Sequence, residues 1–572
     1  MKIFVGQIKA IAGDVRGNLT RIENAYKKAT EAACDICLLP ELATSGYLAE
    51  DLFFSPDFIA EIIHINNKLV RDSTNCALIL PTIIKDKENL YNGVIVTQNG
   101  IIIGQTQKAI LPNNGVFDEK RYFTLGIPQI VNINGRKFGI PICEDIWHKE
   151  VCADLKLQGA EIFLVPNASP FEINKLSKRI EQVSKRYEET NIPFVFCNQS
   201  HSQDGIIFDG NSFCYDGTLS IICKKFCEDS AVVLIKKVPA SVIPAKAGIQ
   251  KKPEAISFLC SDILGSRLRG NDLKGSSNDT RQGGDNAQTN HDSSFEENIY
   301  EAMKFGLKSY IEDNGFEKVI LGLSGGIDSG LVACICVDSI GAKNVSAYML
   351  PSKFTTKSSI NDAKELAKLL NIKLTEIPIT KILQTYISEL GYLANERLED
   401  LTYQNLQARI RGTILMAESN KSRCLLITTG NKSEYATGYA TIYGDMNGAF
   451  NPIKDIYKTQ IFELAKYRNT LSQVIPEDII NKPPSAELAT NQKDSDSLPD
   501  YALLDKILYS YIELNLPKEE LYKLFEPTMV NSIIKLVQNS EFKRKQSAPG
   551  VKISTRNFEK DRRFPITNLF FK

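Results

Sequence analysis

Two sets of residues in this chain have the types and spacing to do chemistry, and neither is built on histidine. The first is Glu41 in LLPELATSGY, Lys108 in QKAILPN and Cys143 in GIPICEDIW. Each follows or punctuates an apolar run, so each projects at a strand end, where α/β proteins build their sites. A cysteine becomes a nucleophile when a nearby base or positive charge favours its thiolate, and a glutamate plus a lysine supply both. Taken singly, these residues read more simply as a core thiol, a turn carboxylate and a solvated amine.

The second set is the segment Lys318-Val-Ile-Leu-Gly-Leu-Ser-Gly-Gly-Ile-Asp-Ser329, an apolar run that empties into a glycine turn and then a helical pattern. Gly322, Leu323, Ser324, Gly325, Gly326, Ile327, Asp328 and Ser329 form the turn. Its glycines let backbone N–H groups approach an anion, Ser324 and Ser329 offer hydroxyls, and the helix points its positive end at the ligand. We expect a phosphate there. Asp328 would repel one unless a divalent cation intervenes, which makes it a Mg²⁺ ligand. A Walker A loop is excluded, since no Gly-Lys-Ser/Thr follows.

These residues need elements to position them. With 572 residues the chain has room for two or three domains. Short apolar strands at Ile3–Val5, 36–39, Ala77–Leu80, 138–142, 162–165 and 194–197 alternate with helical patterns, the mark of an α/β layer protein. From about Val238 to His291 the composition turns to Gly, Ser, Asn, Asp and Gln, too poor in apolar surface to order itself, and VIPAKAGIQ and SRLRGND look like translated copies of a bacterial palindromic repeat. We therefore expect domains at 1–237 and 294–572 with a disordered insertion over 238–293. The second begins with a helix presenting Phe295, Ile299, Met303 and Tyr310 on one face, after the capping-box pattern Ser294-x-x-Glu297. Equal numbers of basic and acidic residues argue against nucleic acid as a partner. The N-terminus shows no leader, no apolar run is long enough to span a membrane, and the 13 cysteines read as reduced core residues of a cytoplasmic protein. Cys34-Asp-Ile-Cys37 has CxxC spacing but no second pair to complete a zinc site.

The motifs carry resemblances. SGG-x-DS resembles the pyrophosphate loop of the ATP pyrophosphatases, Rossmann-like enzymes that cleave ATP between its α and β phosphates. Glu41, Lys108 and Cys143 in their contexts resemble the nitrilase superfamily of C–N hydrolases, an αββα sandwich. That likeness implies Glu41 as general base, Lys108 as oxyanion stabiliser and Cys143 as acyl carrier, with Glu119 of FDEKRYF as an accessory glutamate on the glutamine-binding side. The pattern needs no histidine, so His148, five residues past Cys143, is left out of it. NASPF followed by Lys175 resembles the glutamine-holding segment of the glutaminase branch, placing Ser169 and Lys175 on substrate. Asn114 departs from it, standing where that branch has a tyrosine that helps bind glutamine, and NQSHSQDGIIFDG is less glycine-rich than the family's version.

Downstream, LPSKFTTKSSINDAKELAKLLNI, NLQARIRG, TTGNKSEYATGYATIYGD and KPPSAELATNQKDSDSLPDY together resemble the glutamine-dependent NAD synthetases. Thr429 to Glu434 is also, on its own terms, a polar loop after an apolar run and a second strand-end site. The resemblance implies Thr429 on ATP, Glu434 with Asp328 on Mg²⁺, Asn405, Arg411, Glu434 and Lys543 near deamido-NAD, Lys458 on phosphate, and a mobile acidic loop opening at Ser485, with Ser495 replacing a glutamate. It further implies a homo-oligomer, at least a dimer, whose substrates are glutamine, ATP and deamido-NAD, with a protected passage for ammonia. Two alternatives stay open at this stage. Another SGG-x-DS ligase would carry a Cys-His-Glu or N-terminal cysteine glutaminase, whereas residue 2 here is Lys. A chain whose glutaminase half had decayed to a scaffold would use ammonium but not glutamine.

Overall fold

The computed structural model describes residues 1–238, 255–261, 294–390, 401–490, 492–496 and 498–567. Its backbone divides into two compact units, 1–203 with 208–294, and 204–207 with 295–572.

In the first unit two sheets face each other. One runs edge to edge through Ala255–Ser261, Asp229–Val238, Lys2–Gln7, Ile36–Leu38, Ala77–Asp86, Asn89–Gln98 and Ile101–Gln107; the other through Leu219–Ile221, Phe213–Tyr215, Phe194–Asn198, Ile162–Asn167, Arg136–Gly139 and Ile130–Ile133. Alternate residues of the strands point inward, as the period of two requires. Ile3, Val5, Ile36, Leu38, Ile79 and Val96 thus meet Phe138, Ile162, Leu164 and Val195 in one dry layer. The opposite faces are covered by helices. Val15–Glu31 and Pro56–Arg71 pack on the first sheet, while Lys149–Leu157 and Lys175–Thr190 bury Val151, Leu155 and Val183 against Phe163, Phe194 and Phe196 of the second. The result is the αββα sandwich.

All six expected strands form, with two shortened, the run at 36–39 ending at Leu38. The run at 138–142 pairs only to Gly139, because Pro141 has no N–H to donate and the chain must turn for Cys143. Inside the stretch expected to be disordered, Ala255–Ser261 instead forms an edge strand paired antiparallel with Asp229–Val238. The composition of the whole stretch had averaged over this short strand-favouring segment. The remainder of that expectation lies outside the described residues.

The second unit holds four parallel strands in the order Lys373–Glu376, Val345–Met349, Val319–Gly322, Leu425–Ile427. The first strand in sequence therefore lies between the second and the last, so connections leave it in opposite directions. The crevice beyond the carboxyl ends of Val319–Gly322 and Leu425–Ile427 is where such sheets bind ligands. The helix Ile327–Ile340 starts there, buried beneath Phe295–Asp313 and Lys458–Leu471. On Phe295–Asp313 the buried face is Ile299, Met303 and Leu307; Phe295 is exposed, being the first residue of the helix and short of the packed stripe.

Candidate active sites

Cys143 opens a 3₁₀ turn, Cys143–Trp147, with its own φ at +46°, in the left-handed region that costs a residue with a Cβ energy. Asp145 holds the turn in place. Its Oδ2 accepts from the Ile142 N–H at 2.9 Å, while Oδ1 accepts from the N–H groups of Ala109 (3.1 Å) and Ile110 (2.9 Å). One carboxylate thereby ties the residue before Cys143 to the two residues after Lys108. Burial pushes Asp145 up to about 7 against the pull of those donors.

Lys108 is itself fully buried, its Nζ 2.6 Å from Glu41 Oε1 and 2.7 Å from Glu119 Oε1. Burial alone would lower its pKa, but Glu119 and Glu41 outweigh it and hold it well above the lysine range, so the ammonium stays charged. Asn92 Nδ2 donates to Glu41 Oε1 at 2.8 Å and Tyr47 OH donates to Glu119 Oε1 at 2.5 Å. Glu41 Oε2 is buried and, among the described residues, has no hydrogen-bond partner. Burial and then the charge of Glu41 raise the Cys143 thiol well above its ordinary value, opposed by Lys108 and by the Ala168 N–H. This is a protonated thiol beside a carboxylate with one oxygen open and an ammonium fixed in place. That set can pass a proton and stabilise an oxyanion.

Ser169 follows the strand Ile162–Asn167, and Lys175 opens the helix Lys175–Thr190 packed on the same sheet. The Ser169 N–H donates to Asn198 Oδ1 at 3.1 Å, and its Oγ accepts from the buried Arg179 at 3.1 Å. Burial lowers the pKa of Lys175, opposed by the nearby Glu172. His148 faces Glu144 at 3.7 Å.

In the second unit a cavity of about 310 Å³ occupies the crevice. Gly322 through Ser329 line it without a gap, with Thr429, Arg411, Glu434, Lys458 and Asp494. Gly325 has φ +83°, and a Cβ there would stand 2.2 Å from the Ser359 carbonyl oxygen, so only glycine fits. The Ser324 and Ser329 hydroxyls bond each other at 3.0 Å, holding the loop closed on itself. Asp328 accepts from Asn431 Nδ2 at 3.0 Å and pairs with Lys458. Asn431 also caps the helix Lys432–Thr437 with Glu434 in a capping box. Burial and Asp328 raise Glu434 well above the carboxylate range. Arg411 donates to the Leu350 carbonyl at 2.9 Å, its pKa pushed down to about 10 by burial.

The likeness to known proteins now has a geometry to stand on. A family model for carbon-nitrogen hydrolases matches residues 3–247, and one for NAD synthase matches residues 299–547. A glutamine-dependent NAD(+) synthetase of Aquifex aeolicus is 40% identical, covering 100% of both chains. One from Thermotoga maritima is 39% identical over 100% of this chain and 99% of its own. The chain belongs to the glutamine-dependent NAD(+) synthetases. A solved synthetase of the family, from Acinetobacter baumannii in complex with adenosine diphosphate, superposes with a TM-score of 0.72 at 34% identity, covering 99% of this chain and 98% of that one.

Within this synthetase the expected residues divide unevenly. Glu41, Lys108, Glu119 and Cys143 come together, but Glu119 is engaged by Lys108 and Tyr47 and so stands behind the lysine. All eight loop residues, Thr429, Arg411 and Glu434 reach one cavity. Asn405 and Lys543 are not in its wall: Asn405 Oδ1 accepts from Thr441 Oγ1 at 2.8 Å, and Lys543 Nζ donates to the Gly438 and Ala440 carbonyls at 2.7 Å each. Asn114 is exposed on a turn. Tyr47, Asn92 and Asp145 were not singled out from sequence. Asp145 had a signal, a carboxylate two residues past the candidate cysteine in an apolar context; Tyr47 and Asn92 had none.

Proposed function

We propose that the two sites divide one reaction, the ATP-dependent amidation of deamido-NAD to NAD⁺ with nitrogen drawn from glutamine. The observation that carries the glutaminase half is the buried Glu41–Lys108–Glu119 array beside a protonated Cys143. Sγ of Cys143 attacks the side-chain amide carbon while Glu41 takes the thiol proton through its open oxygen, and Lys108 faces the oxyanion. Glu41 returns the proton to the departing nitrogen, releasing ammonia. Water, deprotonated by Glu41, then cleaves the thioester to glutamate and restores the thiol. Ser169 and Lys175 hold the substrate, and Glu119 with Tyr47 keeps Lys108 aimed.

In the synthetase half the nicotinate carboxylate of deamido-NAD attacks the α-phosphate of ATP, pyrophosphate leaves, and ammonia displaces AMP from the acyl-adenylate. The 322–329 loop and Thr429 cradle ATP, Lys458 neutralises phosphate charge, and Arg411 faces the dinucleotide. The adenosine diphosphate held by the Acinetobacter baumannii relative supports an adenine nucleotide in this crevice. Among the described residues no group of three or more metal-ligating side chains gathers. The donor set nonetheless fits Mg²⁺: Asp328 and Glu434 are hard oxygen ligands on one cavity wall, and that ion ordinarily takes one or two carboxylates plus phosphate oxygens and water. When bound, Mg²⁺ would supply charge neutralisation for the pyrophosphate. Asn405 and Lys543 would reach deamido-NAD only by exchanging their present partners.

We assign the glutaminase half to 1–237 and the synthetase half to 294–572. By family likeness the working form is a cytoplasmic homo-oligomer, which light scattering on the purified chain tests; among the described residues no helix is long and apolar enough to cross a membrane. The reaction is tested with glutamine labelled with ¹⁵N at the side-chain amide. Label in the carboxamide of NAD⁺, with AMP and pyrophosphate formed one for one, is expected. ADP and phosphate as products would contradict the adenylate route.

A further inference from the structure

Trp147 is the single tryptophan of the chain, and it ends the turn that Cys143 begins. Its ring lies under Lys175, with Nζ 5.2 Å from the ring centroid. The ammonium is otherwise poorly served. Its side chain is only 22% exposed, the nearest carboxylate oxygen, of Glu172, is 3.9 Å away, and that same oxygen is taken at 2.8 Å by Lys178. No residue among those described accepts a hydrogen bond from Lys175 Nζ. A largely buried cation with three free donors calls for an anionic ligand. An aromatic face can hold such a cation without using any donor, because it acts through its quadrupole rather than through a lone pair. The tryptophan is anchored in turn, its carbonyl accepting from the buried Arg186 at 3.5 Å.

We infer that Trp147 is a positioning residue for glutamine: its ring holds the Lys175 ammonium charged and aimed, donors outward, so that the site selects an amide bearing an α-carboxylate. The inference rests on the reading of Lys175 as a glutamine contact and adds to it the group that makes the contact possible. It ties substrate selection to the catalytic turn, since Trp147 and Cys143 belong to the same five residues.

The test compares Trp147→Leu and Trp147→Phe with Lys175→Met, measuring KM and kcat for glutamine in NAD⁺ formation and the rate with ammonium. A cation–π contact of this kind is worth roughly two- to thirtyfold in binding. Trp147→Leu should raise KM for glutamine by about that factor with kcat changed far less, Trp147→Phe should recover most of the loss, and ammonium should serve all three equally. If Lys175→Met raises KM but Trp147→Leu does not, or if Phe is no better than Leu, the tryptophan inference is overturned and the lysine reading stands. If Lys175→Met itself leaves KM unchanged, the lysine reading is what fails. Should Trp147→Leu not fold, Cys143→Ala supplies the measurement: glutamine must shift the single-tryptophan emission, and no shift at saturation overturns the inference.

Discussion

Lys108 is a buried cation between two buried carboxylates, and removing it differs in kind from removing either neighbour. Lys108→Met would leave Glu41 and Glu119 facing each other unpaired, a change that costs about 3–5 kcal/mol in comparable sites. We predict a large fall in the chemical-denaturation midpoint along with loss of glutaminase activity. Glu41→Gln keeps a hydrogen-bonding side chain against Lys108 and removes only the base. It should lower the glutamine-dependent rate by about 10²–10⁴, leave the rate with ammonium intact, and move stability far less than Lys108→Met does. Equal destabilisation by both would show that Glu41 is structural.

Lys175 gives the pH dependence. Burial lowers its pKa, so its charge is present below that value and is lost as pH rises through it, earlier than for a lysine in water. In the proposed site, glutamine binding by way of the α-carboxylate needs the charge. KM for glutamine should therefore climb on the alkaline side below the ordinary lysine pKa of about 10.4. A pH profile of KM that is flat up to that range would contradict the assignment.

At the scale of elements, two short segments hold the sites in register. Asp145→Asn would put an amide N–H₂ against one or more of the backbone N–H groups that the carboxylate now accepts, leaving buried donors unsatisfied at about 1–3 kcal/mol. Because those donors flank Lys108 and Cys143, kcat with glutamine should fall together with the unfolding midpoint, and the ammonium rate should not. Over the second cavity, Pro483 to Leu488 forms part of the wall. It is fastened by Glu487, whose carboxylate accepts from Ser359 Oγ at 2.7 Å and Thr356 Oγ1 at 2.9 Å, at the start of the helix Lys357–Leu369. Glu487→Ala should loosen that wall and raise KM for ATP or deamido-NAD by about tenfold, the equivalent of 1.4 kcal/mol, with glutaminase activity unchanged. Unchanged KM for both substrates would mean the fastening contributes nothing.

Across the whole molecule, legibility followed locality. The strands could be read because each is a short run of β-favouring apolar residues, and the 322–329 loop because its glycines, serines and aspartate are close together in sequence. Glu41, Lys108 and Cys143, which the fold brings together, lie far apart along the chain but could be read because each follows or punctuates an apolar run. What escaped was contact across the fold. Nothing near Tyr47 or Asn92 in sequence shows that they meet Glu119 and Glu41, and nothing near Asn405 shows that Thr441 takes its side chain. The strand at 255–261 escaped because seven residues vanish in a window of fifty.

In the proposed mechanism one chain couples two chemistries, each carried by its own residues. That coupling is tested most directly by NAD⁺ formation from deamido-NAD, ATP and Mg²⁺, with glutamine or ammonium as nitrogen source, for the wild type and Cys143→Ala. The wild type is expected to use both sources and the variant to keep ammonium alone. Glutamine-supported synthesis surviving in Cys143→Ala, or absent from the wild type while ammonium works, would contradict it.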